Sequence, residues 1–307
     1  MTKVFIDGSV GTTGLRIFER LNERKDLSLI TLSEEKRKDA DARREAINSA
    51  DIAFLCLPDA AAIEAVSFVE NKNTAIIDTS TAHRTAPEFD YGFAELSGLR
   101  EKIAKSKRVA NPGCHASGFI ALVQPLVRCG ILSKSQKLDC VSLTGYSGGG
   151  KKMIAEYESK ERSPLLSAPR MYGLSQSHKH LKEMKAVCAL ESAPSFLPIV
   201  APFYSGMQVT VSLFRDEING SLKNIGDCYK EYYKSGLVSF CENADEDGFL
   251  SAAAFSGRDD MQITVCGNEE RIVLVSRFDN LGKGASGAAI QNMNILLGID
   301  EKTGLVF

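Results

Sequence analysis

Lys3-Val4-Phe5-Ile6-Asp7-Gly8-Ser9-Val10-Gly11-Thr12-Thr13-Gly14-Leu15-Arg16-Ile17-Phe18-Glu19-Arg20-Leu21 is the stretch that decides the fold. Val4 to Ile6 read as a strand, the three glycines as a loop, and the apolar positions from Leu15 to Leu21 as a helix. Strand, glycine loop and helix in that order form the context of a dinucleotide-binding turn. The spacing is G-x-x-G-x-x-G, a variant of the G-x-G-x-x-G fingerprint. Gly8, Val10, Gly11, Thr12, Thr13 and Gly14 are therefore candidate cofactor contacts, because the helix N-terminus attracts the pyrophosphate and glycine lets the backbone approach it. A plain strand-to-helix turn is the competing reading.

Outward from this loop, strand-like and helix-like segments alternate: Leu27 to Leu32, Ile52 to Leu57, Ala60 to Val69 and Ala75 to Asp78. Alternation of this kind predicts βαβ units around a mostly parallel sheet. The second strand ends near Leu32-Ser33 and is followed by Glu34-Glu35-Lys36-Arg37-Lys38. An acidic residue there would accept from a ribose 2′-OH, whereas Ser33 with Lys38 suits a 2′-phosphate, and the balance of residues favours NADP over NAD. The charged stretch Glu34 to Arg44 is otherwise a solvated loop or helix face. From about 130 to 280 the pattern changes to longer strands (Leu138 to Thr144, Gln208 to Phe214, Met261 to Val265, Arg271 to Arg277). With helices near 150–160, 179–190 and 221–234, it predicts an α+β domain with a largely antiparallel sheet.

The composition agrees with two soluble domains: 307 residues, 25% charged and 44% hydrophobic, with a formal net charge of −2. That charge favours neither nucleic acid nor an anionic membrane as partner. With no signal-peptide pattern and no apolar run of transmembrane length, a cytoplasmic protein is expected. Eight cysteines without scaffold or C-x-x-C spacing fit a reducing compartment and exclude a zinc ribbon.

One cysteine stands apart. Asn111-Pro112-Gly113 are turn formers and the residues after Cys114 are apolar at helical spacing, so Cys114 begins a helix. That end carries unpaired N–H groups and partial positive charge, which favour a thiolate and can hold an oxyanion. Cys114 is thus the candidate nucleophile, whereas Cys56, Cys140 and Cys266 read as strand-core residues. His178-Lys179-His180-Leu181-Lys182-Glu183 carries two of the four histidines and a glutamate that meets His180 at i, i+3 on a helix. His178 suits the acid/base role and Glu183 an orienting one. A surface histidine pair is the bland alternative, and H-x-H-x-x-E lacks a third strong ligand, so no metal is expected. Ser147, Gly148 and Gly149 read as a backbone-donor anion cradle, and Arg84 after the Ala75 to Asp78 strand as a clamp for a carboxylate or phosphate.

Taken together, Gly8 to Gly14, Ala110-Asn111-Pro112-Gly113-Cys114, Ser147 to Gly150, His178-Lys179-His180 with Glu183, and Asp279 to Ala285 resemble the N-acetyl-gamma-glutamyl-phosphate reductases in their shorter form, within the semialdehyde dehydrogenases. The resemblance spans the whole chain. It implies a Rossmann-type nucleotide-binding domain over 1–115 plus 282–307, with an α+β catalytic and oligomerisation domain over 116–281 inserted. It also implies NADPH-dependent reduction of N-acetyl-L-glutamyl 5-phosphate in arginine biosynthesis through a thioester on Cys114. Acid/base work would fall to His178, a substrate contact to His180, and cofactor contacts to Lys283 and Gly284, in a homo-oligomer, dimer or tetramer. His115 stands where the longer form often has an aromatic residue and is expected to neighbour the site rather than act as base. Aspartate-semialdehyde dehydrogenase is the rival with the same chemistry; a catalytically silent NADP-binding regulator is the rival of a different class.

Overall fold

The computed structural model describes residues 1–234 and 236–307. The chain divides into two compact units: 1–94, 98–112 and 285–305 form the first, and 95–97, 113–284 and 306–307 the second.

The first unit runs β1 (Thr2–Asp7), α1 (Thr12–Asn22), β2 (Leu27–Ile30), α2 (Ala40–Ser49), β3 (Ile52–Leu55), α3 (Asp59–Ser67), β4 (Ala75–Asp78), β5 (Asp90–Tyr91), α4 (Leu99–Ile103) and β6 (Arg108–Ala110). Its strands lie in the order β2-β1-β3-β4-β6-β5 and every pairing is parallel. Successive residues of a strand face opposite sides, so one strand feeds two cores. Val4, Ile6, Phe54 and Ile77 pack with Ile17 and Leu21 of α1. Phe5, Ala53, Leu55 and Ile76 pack with Ala46 and Ile47 of α2 and Ala65 of α3. β1 lies between β2 and β3, so the chain leaves it first to one side and then to the other; ligands bind outside the carboxyl ends of strands at such a point.

The second unit runs α5 (Cys114–Arg128), β7 (Asp139–Gly145), α6 (Gly150–Glu158), β8 (Arg170–Met171), α7 (His180–Val187), β9 (Ser195–Ala201), β10 (Met207–Phe214), α8 (Leu222–Tyr232), β11 (Val238–Phe240), β12 (Met261–Gly267) and β13 (Arg271–Phe278). Its strands lie in the order β11-β12-β13-β10-β7-β9-β8. The sheet is mostly antiparallel, with two parallel pairings, β11 with β12 and β7 with β9. α5 packs on β10 and β13 and against α7 and α8, which is why it is apolar nearly all round. The chain then returns to the first unit as α9 (Gly287–Leu296), whose Ile290 and Met293 complete the core beside α1.

The charged stretch Glu34 to Arg44 is not uniformly solvated. α2 begins at Ala40, and its periodicity turns Arg43 inward with Ala46 and Ile47. Arg43 is buried; its Nε donates to Asp7 Oδ2 at 2.9 Å and its Nη1 to Glu64 Oε2 at 2.7 Å. Burial pushes the Asp7 carboxyl up, and the Arg43 guanidinium opposes that shift. Breaking such a pair leaves an uncompensated buried charge. Arg43→Met should therefore cost about 3–5 kcal/mol in urea unfolding, and adding Asp7→Asn should restore much of the loss. Equal stabilities of the single and double variants would contradict this account.

Candidate active site

Cys114 is the first residue of α5, with Gly113 as its N-cap in extended conformation and no side-chain cap bond from Gly113 itself. The cap comes from another helix. Gly113 N–H donates to Oε1 of buried Glu183, on α7, at 2.9 Å. Glu183 thus does from a distance what a glutamate in the helix's own first turn does in a capping box. On the other side, a β-carbon at Gly284 would stand 2.9 Å from Cys114 Cβ, so the position next to the sulfur-bearing carbon has no room for a side chain. Gly284 belongs to the wall of the cysteine. Lys283 beside it is buried, its Nζ bonding both carboxylate oxygens of Glu95 at 2.9 and 2.7 Å.

His178 and His180 come together in the second unit with 4.7 Å between ring centroids. His180 is buried and opens α7. His180 N–H donates to His178 Nδ1 at 3.3 Å, so a neutral His178 ring in this orientation carries its proton on Nε2. His115, the residue after the cysteine, joins both: its ring lies 5.8 Å from that of His178 and 5.5 Å from that of His180. Phe196 of β9 packs edge-on to His115 at 5.3 Å and fills the apolar side of the cluster. Burial, with His178 adding to it, pushes the His115 imidazole down to about 3, so the ring is neutral at working pH.

Ser147, Gly148 and Gly149 form a single 3₁₀ turn that leads directly into α6, not an open glycine loop. The buried Ser147 hydroxyl accepts from Asn280 Nδ2 at 3.0 Å, and Asn280 Oδ1 accepts from Gly206 N–H at 3.0 Å. The turn is held from behind, with the start of α6 at its end.

In the first unit, Gly8 follows β1 at φ +85°, and a β-carbon there would collide with the Cys56 carbonyl oxygen. Only glycine fits. Beyond it a cavity of about 460 Å³ is lined by Gly8, Ser9, Val10, Leu32, Glu34, Arg37 and Lys38, among others. Arg37 Nη2 also bonds Glu34 Oε1 at 2.7 Å, so the acidic and basic candidates are partners. Ser33 is exposed at the turn entering this stretch, its carbonyl accepting from Lys36 and Arg37 N–H at 3.0 Å each. Gly11 precedes α1, where Thr12 and Thr13 are its first residues and Gly14 is buried against Gly8. Arg84 bonds backbone carbonyls, Nε to Asn111 O at 3.0 Å and Nη2 to Thr79 O at 3.1 Å, which pins the segment leading to Pro112.

A family model for the NAD-binding domain of semialdehyde dehydrogenases matches residues 3–106, and one for their dimerisation domain matches residues 114–280. The chain belongs to the semialdehyde dehydrogenase family. Within it, the chain is 46% identical over 318 residues to N-acetyl-gamma-glutamyl-phosphate reductase 2 of Nostoc, covering 99% of both chains. It is 45% identical over 306 residues to N-acetyl-gamma-glutamyl-phosphate reductase of Brucella ovis, covering 96% of this chain and 99% of that one. In fold it is similar to aspartate semialdehyde dehydrogenase II of Vibrio cholerae, solved in complex with ASA. The TM-score is 0.72 at 16% identity, with 97% of this chain and 98% of that one covered. The Candida albicans aspartate semialdehyde dehydrogenase, solved with NADP, gives 0.67 at 14% identity, covering 97% and 98%. Among the described residues no helix is long and apolar enough to cross a membrane, and no group of three or more His, Cys, Asp or Glu is placed to hold a metal ion.

Several residues of this semialdehyde dehydrogenase site carry no sequence signal of their own. Tyr172 OH lies 2.7 Å from His115 Nε2, and Ser142 Oγ of β7 lies 2.6 Å from His115 Nδ1. Glu95, the partner of Lys283, is 188 positions away from it. Cys56, Cys140 and Cys188 behave as packing: burial pushes the Cys140 and Cys188 thiols up, and Cys56 up to about 12.

The neutral, buried His115 sets an acid limit on stability. An unfolded His115 takes up a proton as pH falls below about 6.5, while the folded protein resists until about 3. Between those values the unfolded state binds more protons, so stability is lost as pH falls, at up to ~1.4 kcal/mol per pH unit for this group. Above pH 6.5 the group contributes no slope. Urea unfolding of wild type and His115→Phe between pH 7 and 4 should give curves that converge or cross as pH falls, because only the wild type carries this loss. Parallel curves would show that His115 titrates normally.

Proposed function

We propose that the chain catalyses NADPH-dependent reduction of N-acetyl-L-glutamyl 5-phosphate to N-acetyl-L-glutamate 5-semialdehyde and phosphate, a step of arginine biosynthesis. The observation that carries this reading is the 46% identity to a reductase of that name over 99% of both chains, with Cys114 at a helix N-terminus and the next residue, His115, packed by the rings of His178 and His180. The low identity to aspartate semialdehyde dehydrogenases supports a shared fold alone.

The chemistry follows from the residues. Cys114 passes its proton to His178 and attacks the acyl carbon as the thiolate; a C–S bond forms, the C–O bond to phosphate breaks, and phosphate leaves with the proton that His178 took up. Partial positive charge at the start of α5 favours the thiolate and the oxyanion of the tetrahedral intermediate. When bound, NADPH would supply the hydride that converts the thioester to the thiohemiacetal anion. Collapse of that intermediate releases the aldehyde and returns the thiolate. Glu183 keeps the Gly113 amide, and hence Cys114, in position. His180, Arg84, Ser147, Gly148 and Gly149 are assigned to holding the substrate.

The first unit fits the cofactor. The Gly8 cradle admits backbone only, and Lys38 and Arg37 line the adjoining cavity where a 2′-phosphate would need cations. Gly8, Val10, Gly11, Thr12, Thr13 and Gly14 are assigned to the pyrophosphate, and Ser33 and Lys38 to the 2′-phosphate. Gly284 and Lys283, whose ammonium is held by Glu95, are assigned to the cofactor. The match to a dimerisation-domain family model supports a homo-oligomer, dimer or tetramer. We assign the enzyme to the cytoplasm.

A coupled assay with phosphate, NADP or NAD, and either N-acetylglutamate 5-semialdehyde or aspartate 4-semialdehyde tests this reading. Turnover of the acetylated aldehyde with NADP is expected. Cys114→Ser should abolish it with NADP binding retained, and His178→Asn should lower it by roughly 10²- to 10⁴-fold. Turnover of the unacetylated aldehyde alone would assign the chain to the related enzyme. Absence of turnover of either, with Cys114 inert to alkylation, would point to a silent NADP-binding regulator.

A further inference from the structure

Beside Cys114, three side chains form a hydrogen-bonded row: Ser142 Oγ to His115 Nδ1 at 2.6 Å, and His115 Nε2 to Tyr172 OH at 2.7 Å. Ser142 is fully buried on β7, and its hydroxyl has no bond to any other described residue. That fixes the direction of the row. If His115 donated to Ser142, the serine proton would be buried without an acceptor, an arrangement folded proteins avoid. The satisfied arrangement has Ser142 donating to Nδ1, Nε2–H donating to Tyr172, and the tyrosine proton left over. It requires an uncharged His115, and burial together with His178 keeps the ring neutral. Tyr172 is half-buried with its ring 5.9 Å from that of His178, and its hydroxyl is held protonated by burial and by the negative charge of the Cys114 sulfur nearby.

We propose that Tyr172 is a catalytic hydrogen-bond donor to the acyl oxygen of the group carried by Cys114, with its proton aimed there by Ser142 through His115. The inference rests on the reductase reading, since it needs an acyl group on the sulfur. In both steps negative charge develops on that oxygen: at thiolate attack, and when hydride reaches the thioester carbon. A donor held in place beforehand stabilises both transition states without itself losing the proton. His115 and Ser142 are positioning residues, acting through the tyrosine.

The test compares full-length wild type with Tyr172→Phe, His115→Phe, His115→Gln and Ser142→Ala, measuring kcat and KM for the acyl phosphate and the pH dependence of Cys114 alkylation by iodoacetamide. Tyr172→Phe should lower kcat by about 10²- to 10³-fold, the scale of a lost oxyanion donor, with KM changed less than about threefold and the alkylation profile unmoved. His115→Phe should match that loss, and His115→Gln, whose amide N–H can stand in for Nε2–H, should recover at least tenfold of it. Ser142→Ala, which frees the ring to reverse its direction, should fall between. Wild-type kcat in Tyr172→Phe overturns the proposal while leaving the reductase reading intact. So does an alkylation profile that shifts in step with kcat, because the tyrosine then serves the thiol. A wild type that turns over neither semialdehyde overturns the reductase reading, and the proposal with it.

Discussion

The amino end of α5 is the constraint on which the second unit depends. A thiol there is useful only if the helix end does not move, and the fold meets that condition with parts far apart in sequence. The helix body is buried against β10, β13, α7 and α8, which fixes its axis. Glu183 takes the Gly113 amide at 2.9 Å, which fixes where the chain enters the helix. Gly284 leaves out a side chain where one would strike Cys114 Cβ. Each removes a way for the sulfur to relocate, and none of them is a group that attacks or transfers.

The same division between holding and reacting governs the first unit. A parallel sheet must be covered on both faces, and α1 with α9 on one side and α2 with α3 on the other supply that cover. What remains at the carboxyl end of β1 is a turn that only glycine can make, opening on a cavity with cations on its wall. Beneath it, Asp7 and Arg43 are buried together. A buried pair of this kind fixes a geometry more than it adds stability, since each charge also loses its hydration.

Legibility in the sequence followed the range of the interaction. Strand, loop and helix at 3–21 are set by local periodicity and glycine spacing, and β1 and α1 enclose the strand read at Val4 to Ile6 and the helix read at Leu15 to Leu21, extending each by one to three residues. β4 came out with the expected bounds, and β7, β10, β12 and β13 did so to within two residues at their ends. β9 escaped because Pro198 interrupts its apolar run; the structure tolerates the missing N–H because the flanking β8 is only two residues long and pairs with Ile199 and Val200. Arg43 sat in a charged stretch whose average character hid one inward position. Tyr172, Ser142 and Glu95 were invisible for a deeper reason: a serine on a strand or a tyrosine on a loop becomes part of a site only when a distant element is folded beside it. The histidine pair and Cys114 were legible because rare residue types in turn or cap positions carry chemical meaning before any contact is known.

The central claim is that the acyl group passes through a covalent bond to the Cys114 sulfur. The most direct measurement is to mix the protein with the acyl phosphate in the absence of any reduced nicotinamide, quench in acid, and map the peptides by mass spectrometry. The account predicts one acyl adduct per chain, on the peptide containing Cys114, stable in acid and released by hydroxylamine at neutral pH as a thioester is. Phosphate release without any adduct, or an adduct on another residue with Cys114 unmodified, would contradict it.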